Sequence, residues 1–187
     1  MIALLKRKLS AFHPSPLPSE VSIRASVLIP VFEHDGDTRI LLTKRTTTVK
    51  YHKGEISFPG GMYEEADQDT ERTALRECKE EIGVGEGDVE IVGCLDDMRT
   101  ATTGFVITPY VGLIPYPYQF RLNPKEVEHL IYLPFPFLVN CEVEEESVER
   151  EGKTLRVPAI CYGGETIWGA TCKLLLQLRR IVEDDAL

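Results

Sequence analysis

The sequence is poor in features that would mark an extracellular, membrane or nucleic-acid setting. Its five cysteines (Cys78, Cys94, Cys141, Cys161, Cys172) are odd in number and scattered, with no C-x-x-C pair. That argues against a disulfide framework or a zinc site and fits reduced thiols in a cytoplasmic compartment. No membrane span is expected: the N-terminal "MIALLKRKLS" is too short and too charged, and it lacks a secretory apolar region and cleavage site. The C-terminal "DDAL" carries no peroxisomal or retention signal. Positive charge is in deficit, with 21 Lys and Arg against 30 Asp and Glu, a formal net charge of −9. Broad binding to nucleic acid or an anionic membrane is therefore not expected. An anionic substrate stays open, because a divalent cation inverts the local field.

What is present suits one ordinary globular domain spanning residues 1–187, with 1–20 as a lead-in. Hydrophobic residues make up 43% and charged residues 27%. A chain this long buries roughly 70% of its unfolded surface, so no disulfide or structural metal is needed for stability. The opening residues are expected to form a small amphipathic helix packing Leu4, Leu5 and Leu9 on the domain. "FHPSPLPSE" then reads as extended. Residues 21 to 45 suggest an antiparallel hairpin around Gly36, and "EISFPGG" a short strand ending in a glycine break. Residues 69 to 82 are the best helix candidate, with Asp69 or Thr70 as N-cap and Gly83 as stop. Two β-rich runs follow, separated by the polar loop "MRTATTG"; "PKEVEHLIYLPFPFLVN" reads as a strand leading into a helical turn. An acidic hairpin turning at Glu151-Gly152 and an amphipathic helix over "TIWGATCKLLLQLRRIVED" complete a mixed α/β domain.

The chemistry concentrates in "RECKEEIG", residues 76 to 83. It sets Glu77, Glu80 and Glu81 within an arc of about 100° on the expected helix. Like charges at this spacing cost stability. Leu75, Cys78 and Ile82 fall on another arc and supply the core face. Alone, such a cluster reads as a solvated acidic face. Upstream, however, sits "FPGG", where Gly60 and Gly61 allow close backbone approach. A strand, a glycine turn and a helix bearing clustered carboxylates suit a hard cation such as Mg²⁺, which joins a few carboxylates to substrate phosphates. Arg76 is placed to orient a carboxylate by hydrogen bonding.

"GGMYEEADQDTERTALRECKEEIGV" resembles the signature of Nudix hydrolases: Gly, five residues, Glu, seven residues, then Arg-Glu-apolar-x-Glu-Glu-x-Gly-apolar. The second half matches from Arg76 to Val84. The first half departs, since Asp67 stands where Glu is usual and eight residues, not seven, separate it from Arg76. "LLTKRTTTVKYHKGEISFPGG" resembles the further motif of coenzyme A pyrophosphatases within that family. Leu41, Leu42, Thr43, Arg45, Gly54, Phe58, Pro59, Gly60 and Gly61 are in register, whereas Thr46 replaces Ser or Ala and Lys50 replaces Arg. Lysine keeps the charge and loses the planar fork. "TGFVITPYVGLI" and "IWGATCKLL" extend the likeness over roughly residues 22 to 178.

The resemblance implies a Nudix-type α/β/α sandwich with a mixed β-sheet and a loop-helix-loop motif. It implies metal-assisted hydrolysis of the diphosphate of coenzyme A or its derivatives to phosphopantetheine and adenosine 3′,5′-bisphosphate. The alternatives are another nucleoside diphosphate derivative (ADP-ribose, NADH, a dinucleoside polyphosphate) or a non-catalytic nucleotide-binding regulator. Glu77 and Glu81, with Glu80 as third, are the implied Mg²⁺ or Mn²⁺ ligands, and Arg76 the residue that holds Glu77. Gly60 or Gly61 offers a carbonyl, and Arg45 and Lys50 are the groups for substrate phosphates. The general base is not assigned: the acidic segment 142 to 151 offers several glutamates without distinguishing them. His52 reads as a surface group and Trp168 as core of the last helix. The expected partner is a small nucleotide, with no nucleic acid and no membrane, and a homodimer is left open.

Overall fold

The computed structural model describes residues 1–18, 23–48, 52–100, 104–150 and 152–185. Two long strands, β1 (Arg24–His34) and β2 (Asp37–Arg45), form the expected antiparallel hairpin. Around them lie β3 (Ile56–Ser57), β4 (Gly60–Met62), β5 (Glu90–Cys94), β6 (Met98–Arg99), β7 (Val106–Leu113) and β8 (Val127–Pro134). The order is β3-β2-β1-β7-β5, with β4 beside β1, β6 beside β7 and β8 beside β2. β1 and β7 run parallel and the other pairs antiparallel, so the sheet is mixed. A second sheet joins β9 (Glu144–Arg150), β10 (Lys153–Tyr162) and β11 (Glu165–Trp168) in the order β11-β10-β9.

Among the described residues four helices cover the large sheet: α1 (Ile2–Ala11), α2 (Thr70–Ile82), α3 (Phe135–Asn140) and α4 (Gly169–Glu183). The alternation of strand side chains assigns them to faces. Leu28, Phe32 and Leu41 pack with Ala74, Cys78 and Ile82 of α2. Ile29, Val31, Ile40 and Leu42 point the other way, into a larger core with Leu5 and Leu9 of α1, Phe135 and Leu138 of α3, and Leu174, Leu175 and Leu178 of α4. β1 is buried along most of its length, as a central strand covered on both faces must be. Among the described residues no helix is long and apolar enough to cross a membrane.

Several expectations need adjusting. The glycine break is a strand: β4 pairs with β1 through Ala25–Met62, Ser26–Gly61 and Val27–Gly60. A Cβ at Gly60 would stand 2.4 Å from the Ser26 carbonyl oxygen, so only glycine permits this approach. The polar loop after β5 contributes the short strand β6, which pairs with β7. The last helix starts later than its amphipathic pattern suggests. Gly169 has φ +67, and Trp168 belongs to β11, where it pairs with Ala159. Leu75 is only half-buried; the inner face of α2 is formed by Thr73, Ala74, Cys78, Glu81 and Ile82. Residue 151 of the expected acidic turn lies outside the described residues.

The N-terminal helix is part of the core. Leu5 is fully buried and Leu9 nearly so, and a Cβ on Gly93 would come within 2.8 Å of Leu9. Leu5→Ala is expected to lower the free energy of unfolding by about 2–5 kcal/mol. Urea denaturation checks this, and a loss below about 0.5 kcal/mol would show that α1 is an appendage.

Candidate active site

The site forms where α2 crosses the glycine strand. Asp69 opens the helix by accepting from the Arg72 amide at 2.8 Å, and Gly83 closes it in the left-handed conformation (φ 77). The loop that follows β7 caps the far end, with the Arg121 and Asn123 amides donating to the Ile82 and Glu81 carbonyls. Gly61 faces the helix so closely that a Cβ there would stand 2.3 Å from Glu77 Oε1. The Glu77 carboxylate therefore rests on bare backbone.

Arg76 organises one half of the site. Its Nε and Nη2 donate to Asp67 Oδ1 and Oδ2 at 2.7 and 3.1 Å, a bidentate fork. Nη1 donates to Glu77 Oε1 at 2.9 Å and Glu80 Oε2 at 3.3 Å, and Nη2 also reaches the Met62 carbonyl. Asp67 ends a short 3₁₀ turn (Glu65–Asp67) and accepts further bonds from the Glu64 amide and the Thr73 hydroxyl. The Arg76 guanidinium holds the Asp67 carboxyl down at about 2 despite its burial, with the Glu64 amide and Thr73 helping. The altered spacing before the helix thus still delivers a carboxylate to Arg76. Arg76 ties the Asp67 turn to the Glu77 carboxylate beside β4.

Glu81 organises the other half. The helical wheel sets it apart from the apolar stripe, yet its side chain is only 1% exposed, beside Cys78 and Ile82. Arg45 Nη1 lies 3.3 Å from Glu81 Oε1, and Arg45 Nη2 lies 3.9 Å from Glu126 Oε2. Glu81 Oε2 is buried and accepts no hydrogen bond from the described residues. Burial pushes the Glu81 carboxyl up to about 8, opposed by Arg45 and reinforced by the Glu126 and Glu77 charges. Glu77 is also raised, by burial first, with Arg76 opposing and Glu80 and Glu126 adding.

Of the residues singled out in the sequence, the structure therefore brings Arg45, Gly60, Gly61, Arg76, Glu77 and Glu81 together. Glu80 joins through Arg76 but stays exposed on the outer side of the helix. Lys50 lies outside the described residues. His52 pairs with Glu55 at the surface, as expected. Sequence reasoning missed Glu126, whose field acts on both Glu77 and Glu81. Its one signal was its position just before β8, the strand beside β2. Glu144, Glu145, Glu146 and Glu149 lie on the exposed outer strand of the small sheet.

Among the described residues no three His, Cys, Asp or Glu side chains form a ready-made metal cage. The residues nonetheless fit a divalent cation of the Mg²⁺ type. Such an ion uses one or two carboxylates, keeps several waters and completes its shell with substrate phosphates. Glu77 and Glu81, one turn apart, with Glu81 Oε2 buried and unpaired among the described residues, are a donor set of that kind.

Helices on both faces of a mixed sheet, with a carboxylate-bearing helix laid over a glycine strand, define the Nudix type of α/β/α sandwich. The family model described as NUDIX domain matches residues 22–154, and the chain belongs to the Nudix hydrolase family. A curated relative from Pectobacterium atrosepticum, named Uncharacterized Nudix hydrolase NudL, is 32% identical over 91% of this chain and 88% of its own length. Among solved structures, a MutT/nudix family protein from Enterococcus faecalis has a similar fold, with TM-score 0.60 at 15% identity over 98% of this chain and 70% of that one. The NUDIX domain of Shewanella oneidensis NrtR, solved in complex with ADP ribose, gives TM-score 0.51 at 21% identity over 71% and 84%.

The Asp67 clamp has a definite pH signature. Held at about 2 against an ordinary 3.8, the carboxyl contributes stability that is full above pH 3.8 and lost as pH falls through about 2. Asp67→Asn is expected to lower stability by about 3 kcal/mol at pH 7 and by progressively less toward pH 2. Chemical denaturation across that range measures the difference; an equal loss at every pH would contradict the ion-pair assignment.

Proposed function

We propose that the chain is a Mg²⁺- or Mn²⁺-dependent pyrophosphohydrolase of coenzyme A or its derivatives, yielding phosphopantetheine and adenosine 3′,5′-bisphosphate. One observation carries this reading. Arg45 of the upstream coenzyme A-type motif forms an ion pair with Glu81 of the helix motif, so the two motifs share one site. A substrate-recognition motif and a catalytic motif with unrelated roles would have no need to touch.

Glu77 and Glu81 would hold the cation, with the Gly60–Gly61 backbone beside them. When bound, it supplies Lewis-acid polarisation of a phosphoryl oxygen and neutralises the charge of the diphosphate. Hydrolysis joins a water oxygen to one phosphorus and breaks that phosphorus's bond to the bridging oxygen. Two phosphate monoesters result, and the water gives up a proton. Glu126 is the proposed acceptor of that proton: it is part-exposed at 39%, within reach of solvent, and close to Arg45. Arg45 would bind the phosphates, and Arg76 would keep Glu77 aimed while touching no substrate. The free state of all five cysteines supports a reducing, cytoplasmic setting.

The decisive experiment is a substrate panel with Mg²⁺: coenzyme A, its disulfide and acyl forms, ADP-ribose, NADH and a dinucleoside polyphosphate. Coenzyme A or an acyl form is expected to give the highest kcat/KM. A clear preference for ADP-ribose would replace this reading with another diphosphate hydrolase, and no turnover of any compound would favour a nucleotide-binding regulator. Glu81→Gln is expected to lower kcat by at least about 10²-fold. Gly61→Ala, which pushes the Glu77 carboxylate off its seat, should lower kcat by about 10²-fold while the fold persists by circular dichroism.

A further inference from the structure

The two arginines of the site are held in opposite ways. Arg76 grips both oxygens of Asp67 and has every nitrogen engaged. Arg45 has no such clamp. Its closest approach to Glu81 is 3.3 Å, its approach to Glu126 is 3.9 Å, and its Nε is buried without a hydrogen-bond partner among the described residues. Glu81 Oε2 is in the same position. An arginine–carboxylate fork at its best closes to about 2.7–2.9 Å and uses both oxygens. The Arg45–Glu81 contact is a single long one, leaving polar demand unmet on both sides. For such a buried pair the desolvation penalty offsets most of the Coulomb gain, while either partner alone is strongly unfavourable.

The backbone shows why the contact is loose. The ladder between β2 and β8 slips beside Arg45: Lys44 faces His129, but Arg45 faces Val127. Irregularities of this kind re-aim a side chain next to a site. The Thr46 amide then donates to the Glu126 carbonyl at 2.9 Å, fixing the main chain on both sides. The Arg45 stem is anchored, and its guanidinium hangs between two carboxylates without closing on either.

We propose that Arg45 is an exchangeable counter-ion that neutralises Glu81 in the cation-free protein, yields Glu81 to an incoming divalent cation, and is thereby released to the substrate's phosphates. This rests on the reading of Glu81 as a cation ligand. Arg45 then acts with opposite signs on the two ligands: it competes with the cation and assists a nucleoside diphosphate derivative. Cation binding makes the arginine available, so the cation precedes the nucleotide. An arginine that only props up Glu81 would instead favour cation binding.

Calorimetric titration with Mg²⁺ alone, without nucleotide and at the pH above which the affinity of each protein stops rising, separates these roles. Arg45→Gln is expected to bind Mg²⁺ about tenfold more tightly than the wild type, the effect of removing one positive charge from the carboxylates. With Mg²⁺ saturating, KM for the best substrate of the panel is expected to rise about tenfold. Mg²⁺ affinity equal to or weaker than that of the wild type would overturn the proposal. Wild-type Mg²⁺ binding that Glu81→Gln leaves intact would instead overturn the ligand assignment beneath it. A second measurement needs no variant: in protein labelled with ¹⁵N-arginine, Mg²⁺ is expected to shift and mobilise the Arg45 Nε signal and leave that of Arg76 in place. An Arg45 signal indifferent to saturating Mg²⁺ would also overturn it.

Discussion

The Asp67–Arg76 ion pair is the contact on which the geometry of the site depends. It closes the 3₁₀ turn onto the second turn of α2, and the nitrogen it leaves over goes to Glu77. Without that anchor, burial and the Glu80 and Glu126 charges would act on Glu77 unopposed, and all three favour a protonated, unaimed carboxyl. The same fork reaches the Met62 carbonyl, so strand, turn and helix are tied by one guanidinium.

The second constraint is steric. Gly60 lies against β1, and Gly61 lies against the Glu77 carboxylate. Together they set the distance between sheet and helix. Glu81 lies buried on the inner face of α2, and its ion-pair partner is Arg45 of β2. The site therefore combines a rigid half around Asp67, Arg76 and Glu77 with a slack half around Glu81, Arg45 and Glu126.

Much of this was legible in the sequence. Asp69 and Gly83 bounded α2 because caps act through local backbone geometry, which a few residues specify. The Arg-Glu-x-x-Glu-Glu spacing and the paired glycines identified the helix, its neighbour and the family. The wheel correctly gave α2 an inner face containing Cys78 and Ile82, but misjudged Glu81. A wheel records angle, not what the fold brings against it, and the charges that act on Glu81 reach it from Arg45 of β2 and from Glu126 before β8. The start of the last helix departs from its amphipathic pattern for a similar reason. Thr166 to Trp168 fit a helical stripe, yet pairing with β10 claims them for a strand until Gly169 turns the chain.

The family, the hairpin, the carboxylate helix and the glycines beneath it are written locally in the chain, because each rests on contacts or spacings a few residues apart. Which carboxylates meet which arginines is set by the three-dimensional fold. Asp67 goes to Arg76 across nine residues, Arg45 to Glu81 across 36, and Glu126 to Arg45 across a slipped ladder. Pairings of that kind follow from where sheet and helix bring side chains together, which no local spacing encodes.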